Sequence, residues 1–113
     1  MHEYSIVQSL LNQCEEIAMK NDAKKVVKVV TKIGAMSGVE PHLLEVAFNT
    51  FKEGTICDSA EFIINKQKLK LECKECGGIF EVDEVRYFCI KCQSLKVKVV
   101  DGEDMYLMRL EME

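Results

Sequence analysis

The sequence is poor in the residues and runs that mark several protein classes. It has one proline and six glycines, too few for a collagen-like or linker-rich protein. No apolar run approaches the roughly 18 residues that a membrane-spanning helix needs. The residues from Met1 to Ser5 contain no basic stretch leading into an apolar run, which argues against a signal peptide. We therefore expect a cytoplasmic protein without a membrane partner, whose cysteines stay reduced.

The length and composition fit a small globular protein. A chain of 113 residues is one domain, or one domain with a small module. Apolar residues make up 48% and charged residues 30%, which excludes a disordered chain. The net charge of −4 hides an asymmetry, because residues 66–98 carry eight basic and five acidic side chains. The net charge of that segment also depends on whether its cysteines bind a metal as thiolates.

Hydrophobic periodicity predicts helices and strands in alternation. Apolar residues at helical spacing from Ile6 to Ala18 predict a first helix. A valine-rich run predicts a buried strand, and Pro41 suits the first position of a second helix. The first predicted elements are a helix from Ile6 to about Asn21, a strand over 25–33 and a helix from Glu40-Pro41 to Gly54. One long strand is predicted over 62–71. Two further strands, over 97–100 and 105–112, flank a turn at Asp101-Gly102.

This order predicts an α+β fold of two parts. Two helices covering one face of a small sheet is the economical packing for the flanking elements. We expect a two-helix, three-stranded domain formed by residues 1–68 and 99–113. The cysteine-rich residues 69–98 then form a zinc-ribbon domain inserted between two strands.

Four cysteines carry the strongest motif in the sequence. Two C-x2-C pairs, Cys73/Cys76 and Cys89/Cys92, are separated by 12 residues. Two such knuckles facing each other supply four thiolates to one tetrahedral Zn(II), with no position left open, so the zinc is expected to be structural. Residues 79–82 and 85–88 are predicted to form a hairpin between the pairs. Disulfides are disfavoured in the cytoplasm. A thioredoxin-type motif would be one C-x2-C pair at the end of a βαβ strand, not two pairs framing a hairpin, and an iron–sulfur cluster usually has a different spacing.

Zinc ribbons often bind nucleic acid, and residues 66–98 carry an excess of basic side chains. Four thiolates and one Zn(II) reduce the net charge of residues 66–98 from +3 to about +1. The segment lacks a basic stripe with interleaved stacking aromatics, and its alternating lysines fit the solvated face of a strand. We expect no nucleic-acid partner, although a zinc-ribbon nucleic-acid or adaptor module without a labile metal remains the competing function.

The N-terminus offers a second metal site. His2 has an ordinary interpretation as an exposed side chain on a frayed end. In the alternative, the α-amine of Met1, the His2 amide and ring nitrogens and the Glu3 amide nitrogen surround one ion. Such a planar set of nitrogens suits Ni(II) or Cu(II). The free N–H groups and positive dipole of the following helix would favour the negative amides.

With these residues in view, the sequence resembles the HypA family of hydrogenase nickel-incorporation proteins and its HybF relatives. The resemblance rests on Met1-His2-Glu3, Lys32-Ile33-Gly34, the acidic Glu40 and the four cysteines, and it spans the whole chain. It implies a nickel metallochaperone that assists insertion of Ni(II) into [NiFe]-hydrogenase, and in some bacteria into urease. It also implies nickel bound at Met1, His2 and Glu3, with Glu40 as an auxiliary residue, and an inserted zinc ribbon.

The resemblance also implies partners. These are the nickel-delivering GTPase HypB, the hydrogenase large subunit, urease accessory proteins in some organisms, and a second copy in a homodimer. The sequence departs from some relatives in two ways: Glu40 stands where they have Asp, and Gly77 and Gln93 follow the cysteine pairs, beside which they have a histidine. Cys14 is expected to be a core thiol. Without a nucleophile–base set or a phosphate-binding loop, the sequence predicts no enzyme.

Overall fold

The computed structural model of the chain describes residues 3–82 and 88–113. These segments contain two helices and six strands, and five of the strands follow the second helix. In chain order they are α1 (Glu3–Lys20), β1 (Val26–Gly34), α2 (Pro41–Phe51), β2 (Glu61–Gln67), β3 (Leu69–Cys73), β4 (Ile79–Val82), β5 (Val97–Asp101) and β6 (Met105–Met112).

The strands form two three-stranded sheets. The first has the order β2-β1-β6 and the second the order β4-β3-β5. Two helices, a three-stranded sheet and a second sheet beside the cysteines confirm the predicted α+β class. Among the described residues, no helix is both long and apolar enough to cross a membrane.

The chain divides into two compact units. The first comprises residues 1–32, 39–65 and 106–113, and the second comprises residues 33–38 and 66–105. The predicted boundaries, 1–68 with 99–113 against 69–98, stay a prediction.

Helix α1 follows its predicted apolar stripe. It buries Val7, Leu10, Leu11, Cys14 and Ala18. The helix starts at Glu3, three residues before the stripe, and ends as Ala23 donates its N–H to the carbonyl of Ala18 over 2.9 Å. Asp22 adopts a left-handed conformation, with φ of 53°, at this C-terminal turn. Asn21 thus lies where the helix ends, as its sequence position predicts.

Helix α2 begins where proline permits it. Pro41 is its first residue, and the Glu40 side chain caps it by accepting the N–H of Leu43 over 2.8 Å. The buried face of α2 includes Leu44 and Phe48. Phe48 stacks on Phe62 of β2 with ring centroids 4.1 Å apart, so the helix and the strand share a core contact.

The single long strand predicted over 62–71 is wrong. The structure ends β2 at Gln67 and starts β3 at Leu69, and the two strands belong to different sheets. The apolar alternation changes phase on the way, because Phe62 is buried at an even position and Leu69 at an odd one. A strand cannot keep one face in the core across such a phase change, so the regular strand is interrupted at Lys68.

The second sheet is built around β3. Leu71 lies opposite Phe80 of β4 and opposite Val99 of β5, in antiparallel pairings on both sides. The buried cluster of this unit consists of Leu69, Leu71, Cys73, Phe80, Val82 and Cys89. The strand predicted over 85–88 lies outside the described residues except for Phe88, which is in no strand. The partner of β4 in the described structure is β3.

Two glycines allow a close backbone approach in the second unit. Gly34 donates its N–H to the carbonyl of Asp104 over 2.9 Å, and Met36 donates to Gly102 over 2.8 Å. A Cβ at Gly34 would collide with the carbonyl group of Gly102. Gly102 has φ of +99°, and a Cβ there would come within 2.8 Å of the Lys68 carbonyl oxygen. Only residues without a side chain fit these two positions.

Candidate metal centre

The two C-x2-C pairs bring four sulfurs together. All four Sγ atoms lie within 4.8 Å of one another. The Sγ atoms of Cys73 and Cys92 are 3.6 Å apart, and those of Cys76 and Cys89 are 3.7 Å apart. Four sulfurs bound tetrahedrally at about 2.3 Å from one zinc ion would be about 3.8 Å apart. The spacing of the sulfurs therefore fits a tetrahedral thiolate site.

The first pair forms a tight knuckle at the end of β3. The N–H of Gly77 donates to the carbonyl of Cys73 over 2.9 Å, and Gly77 is left-handed with φ of +75°. The N–H of Cys76 points at the Sγ of Cys73 over 3.4 Å. This N–H stabilises negative charge on the sulfur, which favours the thiolate that a metal needs.

The second pair repeats the same construction. The N–H of Gln93 donates to the carbonyl of Cys89 over 2.8 Å, and Gln93 is left-handed with φ of 61°. The N–H groups of Lys91 and Cys92 both point at the Sγ of Cys89 over 3.4 Å. Sequence reasoning identified the four clustered cysteines but not these backbone donors, whose presence follows from the x2 spacing of each knuckle.

The four thiols differ in acidity. The backbone N–H of Cys76 holds the pKa of Cys73 below its usual value, and the N–H of Cys92 lowers the pKa of Cys89 to about 6. The N–H of Ser94 acts to lower the pKa of Cys92, but hydrogen bonds with Cys73 and Cys89 outweigh it and raise that pKa to about 12.

Cys76 behaves like Cys92. The N–H of Gly78 lowers its pKa, whereas hydrogen bonds with Cys73 and Cys89 raise it, and the net direction is upward. Four sulfurs this close cannot all carry charge unless a cation compensates them. A soft divalent ion that accepts four thiolates satisfies this requirement, and tetrahedral Zn(II) fits both the donors and their spacing.

The predicted nickel residues are only partly described. Met1 and His2 lie outside the described residues. Glu3 is the first residue of α1, and its Oε2 accepts the backbone N–H of Glu40 over 3.5 Å. The structure therefore brings Glu3 and Glu40 together at the N-terminal ends of both helices, although they are 37 residues apart in sequence.

The remaining cysteines and His42 are separate from the four-cysteine cluster. Cys14 and Cys57 are fully buried, which confirms Cys14 as a core thiol. His42 is exposed in the first turn of α2.

Comparison with known proteins gives the family. The sequence model of the family described as hydrogenase/urease nickel incorporation, metallochaperone, HypA matches residues 1–112. This chain belongs to the HypA family.

Relatives in the HypA family match along nearly their whole length. The hydrogenase maturation factor HypA of Aquifex aeolicus is 54% identical over 113 residues, which cover 100% of this chain and 98% of that protein. The factor of the same name from Shewanella halifaxensis is 51% identical, with the same coverage.

Solved structures of HypA proteins share the fold. The solution structure of the Ni metallochaperone HypA from Helicobacter pylori has a TM-score of 0.70 at 42% identity, covering 99% of this chain and 97% of that one. A second solution structure of a HypA protein has a TM-score of 0.75 at 43% identity, covering 100% and 97%. The HypA family consists of metallochaperones, and membership places this chain in hydrogenase or urease nickel incorporation.

Proposed function

We propose that this chain is a cytoplasmic nickel carrier that binds Ni(II) at its N-terminus and assists its insertion into [NiFe]-hydrogenase, and in some settings into urease. The match to the HypA family over residues 1–112, which includes the Met1-His2-Glu3 start, carries the proposal. The protein acts by binding and releasing the ion and is not an enzyme.

The proposed cargo site uses nitrogens at the chain start. The α-amine of Met1, the His2 amide and ring nitrogens and the Glu3 amide nitrogen would form a planar set, which suits Ni(II). Because α1 begins at Glu3, the first N–H groups of the helix have no acceptor within it. The positive end of the helix dipole favours the negative charge of deprotonated amides. Ni(II) is the cargo here, and a site with few ligands suits its release.

Two carboxylates support this location. Oε2 of Glu3, the first residue of α1, lies 3.5 Å from the backbone N of Glu40, the residue that caps α2. Their charges would favour approach of a divalent cation to this end of the first unit. Glu40 is proposed as an auxiliary residue, because its carboxylate already caps α2 through the N–H of Leu43.

We assign Zn(II) to the four cysteines as a structural ion. Sulfur spacings of 3.6 and 3.7 Å, with backbone N–H groups directed at Cys73 and Cys89, support that assignment. A closed set of four thiolates suits permanent binding, in contrast to the cargo site. The ion would join the knuckle formed by Cys89 and Cys92 to the end of β3.

Membership in the family also suggests the partners. We propose the nickel-delivering GTPase HypB and the hydrogenase large subunit as protein partners, with urease accessory proteins where urease is served. A homodimer is the proposed self-association. No nucleic acid or membrane partner is proposed.

The decisive experiment is metal analysis of untagged protein after nickel exposure. We expect one Zn and one Ni per chain, with the absorption of planar, diamagnetic Ni(II). His2→Gln should abolish stoichiometric nickel binding and leave zinc unchanged. Glutamine is preferable to alanine here, because a large second residue protects Met1 from aminopeptidase trimming. An N-terminal tag should have the same effect as the substitution.

Cys73→Ser provides the matched control at the other site. It should lose zinc without removing a nickel ligand. Full nickel binding by the His2→Gln protein would refute the N-terminal site. One Zn without Ni, together with salt-sensitive binding to DNA or RNA, would instead favour the zinc-ribbon nucleic-acid module.

A further inference from the structure

The two knuckles of the four-cysteine cluster are built alike but use different residues at one position. Each has a left-handed residue directly after its second cysteine: Gly77, with φ of +75°, and Gln93, with φ of 61°. Glycine adopts this conformation freely, whereas a residue with a Cβ is strained in it. Backbone strain is therefore present in the second knuckle and absent from the matching position of the first.

The first knuckle is also better anchored. Cys73 is the last residue of β3, and its N–H donates to the carbonyl of Gly78 over 2.8 Å. The next residue, Lys74, donates to the carbonyl of Lys96 over 2.8 Å, which ties this knuckle to the chain entering β5. Opening the first knuckle would disturb the central strand of a sheet.

The second knuckle has only local backbone bonds in the described part of the chain. Cys89 donates its N–H to Ser94 over 2.9 Å, and Gln93 donates to Cys89 over 2.8 Å. Both bonds lie within residues 89–94, which belong to no strand. Among residues 3–82 and 88–113, opening this knuckle breaks no sheet ladder.

Within the second knuckle, Cys92 is the less secure ligand. Cys89 is fully buried, and its sulfur accepts two backbone N–H groups, whereas the sulfur of Cys92 accepts one, from Ser94. Cys92 is exposed and lies next to the strained Gln93. We propose that Cys92 is the first ligand to detach from the bound ion, and that Gln93 sets how readily it does so. The inference rests on the proposed function, in which this cluster holds Zn(II).

The order of detachment has a chemical consequence. With Cys92 detached, three sulfurs would still hold the ion, and the site would be open on the side of the second knuckle. An outside chelator or thiol would enter there, so exchange of the structural ion would proceed through the second knuckle. Gln93 is a positioning residue in this scheme, because it acts through the backbone of Cys92 and not as a ligand.

Limited alkylation of the zinc-loaded full chain tests the order. Cys76 is the internal control, since it is exposed like Cys92 and occupies the same place in the first knuckle. With substoichiometric iodoacetamide and peptide mass spectrometry, we expect Cys92 to be labelled before Cys76. Equal labelling, or earlier labelling of Cys76, would overturn the inference.

A pair of exchanged substitutions tests the role of Gln93. Gln93→Gly removes the strain and should slow both Cys92 labelling and zinc transfer to a chelator, by about five-fold, the factor expected for relief of one left-handed residue. Gly77→Gln places the same strain in the first knuckle and should speed labelling of Cys76. Unchanged rates in Gln93→Gly would overturn the role of Gln93, even if Gly77→Gln failed to fold.

Zinc content, measured first, separates this inference from the proposed function. Protein without zinc would overturn the zinc assignment and this inference together. Protein with one zinc per chain whose Cys76 reacts first would overturn the inference alone.

Discussion

The carboxylate of Glu3, the first residue of α1, accepts the backbone N–H of Glu40, the residue that caps α2, over 3.5 Å. The Glu40 carboxylate is turned toward α2, where it accepts the N–H of Leu43 over 2.8 Å. The Glu3 carboxylate therefore connects the start of α1 to Glu40, and the Glu40 carboxylate connects Glu40 to the first turn of α2. A stability role of Glu40 can then be separated from a role in nickel binding.

Removal of the Glu40 cap should destabilise the first unit. Glu40→Ala leaves the N–H of Leu43 without its side-chain acceptor, and loss of such a cap costs about 1 kcal/mol of unfolding free energy. Urea denaturation followed by circular dichroism measures this change. Glu40→Asp is the matched control, since aspartate is a favoured cap residue and should retain the stability. An unchanged midpoint in Glu40→Ala would contradict the capping role.

Glu40→Gln should separate charge from capping. The glutamine carbonyl can still accept the N–H of Leu43, so the urea midpoint should stay close to that of the wild type. If the Glu40 charge favours nickel, the affinity should fall several-fold in titrations at low salt. Full wild-type affinity would limit Glu40 to its structural role.

Zinc uptake by the metal-free protein should release fewer than four protons per ion at pH 7.5. Cys89, with its pKa lowered to about 6, is already a thiolate at that pH, whereas Cys92, with its pKa raised to about 12, must lose its proton to bind. Because bound zinc keeps all four sulfurs deprotonated, zinc affinity should weaken as the pH falls. Calorimetry in buffers of different ionisation enthalpy counts the protons. A count of four would contradict the lowered pKa of Cys89.

Gly34→Ala should be strongly destabilising. The new Cβ would meet the carbonyl group of Gly102 and lie 2.9 Å from the carbonyl oxygen of Asp104, so backbone on both sides would have to move. We expect a loss of roughly 3 kcal/mol, at the upper end of the usual cost of overpacking, because rigid backbone has to move.

Gly38→Ala is the matched control for this substitution. Gly38 has φ of +77° and open space where a Cβ would lie, so the alanine adds backbone strain without a collision. Its cost should be about 1–2 kcal/mol. Equal unfolding free energies for the two variants would contradict the steric argument for Gly34.

Thr31→Val should cost about 1 kcal/mol. Thr31 is fully buried, and its Oγ1 donates to the carbonyl of Ile63 over 3.1 Å. Valine keeps the shape but removes the donor, so that bond is lost from the core. Thr31→Ser keeps the hydroxyl and is the control for the bond. A wild-type urea midpoint in Thr31→Val would show that the bond contributes nothing net.

The sequence was most informative where a motif or period is local. The C-x2-C spacing identified all four sulfurs, because a knuckle is closed by backbone bonds within a few residues, such as Gly77 to Cys73. The stripe from Val7 to Ala18 identified α1 for the same reason. Pro41 marked the start of α2, since proline fits the first helical position.

Features that depend on distant residues were harder to predict. The contact between Glu3 and Glu40 joins residues 37 positions apart, and no local pattern encodes it. The division between β2 and β3 had a readable signal in the phase change from Phe62 to Leu69, but a run of strand-forming residues concealed it. The central place of β3 in its sheet could not be read from the sequence, because sheet order depends on which strands meet in space.

Cys73 is at once the last residue of the middle strand, β3, and one of the four clustered sulfurs. Metal binding at the cluster is therefore coupled to the pairing of β3 with β5, in which Cys73 lies opposite Val97 and Leu71 lies opposite Val99. Amide hydrogens of β3 and β5, several residues away from any sulfur, should exchange with deuterated solvent faster once a chelator has stripped the ion. Hydrogen exchange in the sheet formed by β4, β3 and β5 would then report whether a metal is bound to the four cysteines.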